Sequence, residues 1–82
     1  MIQQTSLEAY IEVLKRLGRR QREILEVFKR YGTPLSNKKV SELINQPINR
    51  ITPRVLELRQ KGLLQHNGNT IENGRTVMLW SI

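Results

Sequence analysis

Arg19, Arg20 and Arg22 follow Lys15 and Arg16 within eight residues, and Lys38, Lys39, Arg50, Arg54, Arg59 and Lys61 form a looser second series. Side chains of this kind do electrostatic work, because guanidinium forks and ammonium groups hold oxyanions. Summed by segment, residues 1–14 carry −2, 15–22 carry +5, 23–36 carry 0, 37–61 carry +4 and 62–82 carry 0. The net +7 therefore sits in two stretches and is not spread as a solubilising coat. A clustered surplus suits a polyanion, either a nucleic acid or an anionic membrane surface.

The chemistry that is missing narrows the field. Without cysteine there is no disulfide, thiolate ligand or thiol nucleophile, and His66 is the single imidazole. No glycine-rich phosphate loop occurs, and no nucleophile stands beside a base. Glu8, Glu12, Glu23 and Glu26 are spaced toward Lys15, Arg16, Lys29 and Arg30 as helix-face ion pairs, not as an acid–base dyad. No enzyme activity, metal, cofactor or small-molecule ligand is expected. Met1 to Thr5 lack the pattern of a secretory signal, and Val77-Met78-Leu79-Trp80 is far too short to cross a bilayer. A cytoplasmic protein is expected.

The length suits one domain, 1–82, with a thin stability margin. Leu7, Tyr10, Ile11, Leu14 and Leu17 recur at steps of three and four, predicting a helix over 5–17, with Thr5 and Glu8 as a capping box and Gly18 as a left-handed stop. A second helix is expected over 19–31, with Ile24, Leu25, Phe28 and Tyr31 inward and Gly32 closing it. Its first turn is Arg19-Arg20-Gln21-Arg22, and cations there oppose the helix dipole. Contact with phosphate would offset that penalty; a solvated basic face is the plain alternative.

Thr33-Pro34-Leu35 reads as an extended connector, and Ser36 as the cap of a short helix over 36–44 carrying Val40, Leu43 and Ile44. Pro47 stops it. The fourth helix is predicted over 48–61 with Ile48, Ile51, Val55 and Leu58 as a buried stripe, Pro53 in its first turn and Gly62 at its end. Beyond Gly62 the pattern changes to strands: Leu63 to His66 and Arg75 to Ile82. Asn67-Gly68 and Asn73-Gly74 are both hairpin signals, and either makes the turn. The fold class is mostly α with a small antiparallel β-hairpin over 63–82, an α+β arrangement.

Helix, connector, two helices and a hairpin in this order resemble the winged helix-turn-helix family over Arg20 to Trp80, about three quarters of the chain. The resemblance is carried by Ile24-Leu25 and Phe28, by Ser36 to Leu43, by Ile51 to Leu64 with its Lys61-Gly62-Leu63-Leu64 ending, and by Gly74-Arg75 leading to Trp80. It implies duplex-DNA binding, with helix 48–61 in the major groove and the hairpin as a wing. It further implies a role as a small transcription regulator or an accessory factor in replication or recombination.

A helical wheel centred on Ile51, Val55 and Leu58 turns Asn49, Pro53, Leu56, Glu57 and Gln60 outward, with Arg50, Thr52, Arg54, Arg59 and Lys61 on the flanks. Since the N-terminal half of such a helix reaches base edges, the resemblance makes Asn49, Arg50, Thr52 and Arg54 the base-reading candidates. Arg19, Arg20, Arg22, Lys38, Lys39, Arg59 and Arg75 are the phosphate-binding candidates. The family's basic wing is reduced here to Arg75, facing Glu72 on the same loop. Helix 5–17 lies outside the winged core and either pairs two copies in a homodimer or packs on its own domain.

Two other classes of function compete. Leu56 on an outward face and a near-neutral wing suit a protein–protein adaptor, whereas Arg50 and Arg54 argue for DNA. A lipid-surface helix is disfavoured by Glu8 and Glu12 on the polar face of helix 5–17. Trp80, Phe28 and Tyr31 read as core residues and not as base-stacking platforms, and His66 reads as a hairpin residue.

Overall fold

The computed structural model describes residues 4–82, with four helices followed by a two-stranded antiparallel hairpin. Helix α1 is Gln4–Lys15, α2 Arg19–Tyr31, α3 Asn37–Ile44 and α4 Ile48–Gln60; strands β1 and β2 are Gln65–Glu72 and Arg75–Ser81. The expectations for Met1 to Gln3 and for the side chains of Thr5, Leu7 and Tyr10 lie outside the described residues. Thr5 lies inside α1, so it does not cap that helix. Nor is Gly18 a left-handed stop: it is extended, at φ −70°, and opens α2.

One core unites the elements. Val40, Ile51, Val55 and Leu58 are essentially unexposed, and Ile24, Leu25, Val27, Phe28, Leu35, Leu63, Leu64 and Trp80 close around them. The three- and four-residue spacing of Ile51, Val55 and Leu58 puts them on one face of α4, as expected. Ile48 does not join them. It stands at the first helical position, ahead of the packed turns, and is half exposed. Tyr31, at the last position of α2, is likewise exposed, and Val27 is buried instead.

Local chemistry explains the ends. Ser36 Oγ accepts the Lys39 amide at 3.1 Å and starts α3. α4 ends in a Schellman motif: the Leu63 amide reaches the Leu58 carbonyl and the Gly62 amide the Arg59 carbonyl, both at 2.9 Å. Gly62 takes φ +78° there, a conformation that strains any residue with a Cβ. Pro53 falls in the second turn of α4, not the first, and therefore leaves the Asn49 carbonyl without its helical donor.

The hairpin differs from its sequence reading. β1 begins at Gln65, after the buried Leu63-Leu64 pair, and runs on to Glu72. Asn73-Gly74 makes the turn, both residues at positive φ (50° and 76°), as a type I′ hairpin requires. Asn67-Gly68 instead lies at an irregularity in register between His66 and Asn69, where the strand bulges. The connector before α3 joins this hairpin: Leu35 and Trp80 exchange two backbone hydrogen bonds of 2.9 Å. That pairing fixes the hairpin beside α3 and α4.

Candidate functional site

The outer face of α4 is open. Asn49, Arg50, Thr52, Pro53, Leu56 and Gln60 are all exposed, so three of the four proposed base readers share one accessible surface. The Thr52 hydroxyl is engaged, donating to the Ile48 carbonyl at 3.2 Å and lying 3.5 Å from the Asn37 amide nitrogen.

Arg54 is set apart from the other three. It is half-buried on the flank of α4 that faces the start of α2, with Nε 3.2 Å from Glu57 Oε1. That is ion-pair distance without the alignment of a hydrogen bond; Nε is also buried and has no hydrogen-bond acceptor. The same Glu57 oxygen accepts Gln21 Nε2 at 2.7 Å, and Gln21 Oε1 accepts the Gly18 amide at 3.0 Å. This chain of contacts docks the basic first turn of α2 against α4. As a result Arg54 gathers with Arg16, Arg19, Arg20 and Lys61 around one cavity. Arg22 points elsewhere: its guanidinium donates to the Leu14 and Lys15 carbonyls and completes the C-terminus of α1.

The opposite flank of α4 faces α3 and the hairpin. Lys38 and Lys39 are exposed on the first turn of α3. Arg59 stacks over Trp80, with its guanidinium carbon 5.2 Å from the ring centroid, and His66 lies tilted at 5.9 Å on the same ring. Arg75 is paired in register with Glu72 across the turn. The Glu72 carboxylate accepts the Ser36 hydroxyl at 2.5 Å, placing a negative charge at the N-terminus of α3. Such a position favours an anion. A protein carboxylate thus holds a place where an external oxyanion would otherwise be welcome.

Among the described residues the ion pairs are Arg54–Glu57 and an exposed Glu12–Lys15 contact at 3.8 Å. The helix-face pairs expected of Glu8, Glu23 and Glu26 do not form, which leaves most of the positive charge unneutralised. Sequence reasoning found Ser36 as the α3 cap but missed Gln21, Glu57 and Glu72 as positioning residues. Gln21 carried a usable signal, because glutamine at the third helical position bonds back to the cap amide. Among the described residues no helix is long and apolar enough to cross a membrane. Comparison with protein-family models and with curated proteins finds no match to this chain.

Proposed function

We propose that this chain is a winged helix-turn-helix domain that binds duplex DNA, with α3 and α4 as the helix-turn-helix and the hairpin as the wing. The observation that carries the reading is the open outer face of α4, bearing Asn49, Arg50 and Thr52, with unneutralised cations on both sides of it. The Leu35–Trp80 pairing adds support, because it ties the connector ahead of α3 to the hairpin beyond α4. In this reading Asn49 and Arg50 address base edges while Lys38, Lys39, Arg19 and Arg20 hold phosphates on either rail. Action as a small transcription regulator, or as an accessory factor in replication or recombination, follows from such binding.

The affinity of the protein for duplex DNA should fall steeply with salt. Some five phosphate contacts give a log–log slope of about −4 to −5, read by fluorescence anisotropy across a salt series. A slope near zero contradicts the proposal.

Glu72 supplies a second test. Glu72→Gln keeps a hydrogen-bond acceptor for Ser36 but removes the charge at the α3 N-terminus, opening that position to a phosphate. DNA affinity should rise by about twofold to fivefold, while the melting temperature falls slightly as α3 loses a dipole interaction of about 0.3–1 kcal/mol. Weaker DNA binding by this variant would place phosphates away from α3.

One observation favours a different partner. Leu56 and Ile48 are each 49% exposed and Ile71 on the hairpin 72%, as an adaptor surface would have them. Leu56→Ser separates the readings. A protein contact through α4 is lost, whereas phosphate-dominated DNA affinity is nearly preserved.

A further inference from the structure

Arg16, Arg19, Arg20, Arg54 and Lys61 line one open cavity of about 710 Å³ between the end of α1, the start of α2 and the flank of α4, with Glu23 the lone acid in its wall. These cations come from three segments of chain and are brought together by the Gly18–Gln21–Glu57–Arg54 contacts. Of the five, only Arg54 has an ion-pair partner among the described residues. Like charges converging on one volume repel one another, and the α2 dipole adds to the positive potential there. Arg54 lines the same wall, with its buried Nε held 3.2 Å from Glu57 Oε1.

We infer that this cavity is a binding site for a phosphoryl group carrying two or more negative charges. Guanidinium forks match phosphate oxygens in geometry as well as charge, and four of the five cations are arginines. The walls are mainly polar, so the site selects for the charged group and offers little to an aromatic base. Two sources carry this chemistry: the backbone of a nucleic acid and a free phosphorylated small molecule. The backbone source rests on the DNA reading above; the site itself does not.

The test uses the full chain and inorganic pyrophosphate, with sodium chloride at matched ionic strength as reference. Backbone amide NMR signals of Gly18 to Gln21 and of Lys61 should shift saturably, while those of Ser36 to Lys39 do not. Arg16→Gln combined with Arg20→Gln should weaken pyrophosphate binding about tenfold, as expected for lost charge-assisted contacts. Lys29→Gln with Arg30→Gln removes the same charge from the far end of α2 and should leave it unchanged; thermal melting establishes that both double variants are folded. Shifts scattered over all basic residues, or equal losses in the two double variants, overturn the site.

Competition then identifies the source. If pyrophosphate displaces duplex DNA, and Arg16→Gln with Arg20→Gln lowers the DNA salt slope by about 2, the site holds a backbone phosphate. Should pyrophosphate bind here while DNA does not bind at all, the site stands with a free ligand and the DNA reading falls. DNA binding without any response to pyrophosphate removes the site and leaves the DNA reading intact.

Discussion

Leu58→Ala is expected to destabilise the domain by about 2–5 kcal/mol, the range for a leucine truncated in a packed core. Leu58 has no exposed surface, and its carbonyl receives the Leu63 amide that closes α4. Small domains have little stability to lose, since about 5–15 kcal/mol is the usual total. Urea denaturation should therefore show a much lower midpoint or no cooperative transition at all. Leu56→Ala, two residues earlier and so on the opposite side of the helix, is half exposed and should change stability by no more than about 0.5 kcal/mol. Equal effects of the two would mean that α4 does not present the faces described.

Arg50→Ala should have the largest effect on recognition. Arg50 is exposed near the start of α4, without an acidic partner among the described residues, and a guanidinium there can fork a guanine. Its removal should cost about 1–3 kcal/mol on the preferred duplex and relax discrimination at one base pair. Arg54→Ala should behave differently, although both arginines lie in the first half of the helix. Half-buried beside Glu57 and facing the α2 cluster, Arg54 is placed for a phosphate. Its loss should weaken binding to all duplexes alike, as should Arg20→Ala. Binding measured on duplexes differing at single positions distinguishes the two patterns. Uniform weakening by Arg50→Ala would remove it from base reading.

The contrast between these arginines shows where sequence reasoning stops. Ile51, Val55, Leu58 and Gly62 were legible because helical periodicity and a left-handed cap are local properties. Ile48 and Tyr31 have suitable angular positions, but their burial depends on what lies opposite a helix end, which periodicity does not contain. β1 was misplaced because Leu63-Leu64 looks like a strand and is in fact a buried pair following the helix cap. The true strand has exposed residues at nearly every position and no alternating pattern to read.

Of the candidate site, the charge clusters were legible and their grouping was not. Gln21–Glu57 and Ser36–Glu72 each join residues 36 apart, and no local pattern announces such contacts. Yet these pairs decide that Arg54 joins the α2 cluster and that a carboxylate occupies the α3 N-terminus. Arg22 was grouped with the phosphate binders for its place in the cationic first turn of α2, while the structure uses its guanidinium to finish α1.

Enrichment of bound sites from a random pool of duplexes tests the central claim most directly, that the outer face of α4 reads DNA sequence. The account predicts an enriched motif that loses its preference at one position with Arg50→Ala and keeps its preferences with Arg20→Ala. A pool that remains random after repeated rounds, or a motif indifferent to Asn49, Arg50 and Thr52, contradicts it.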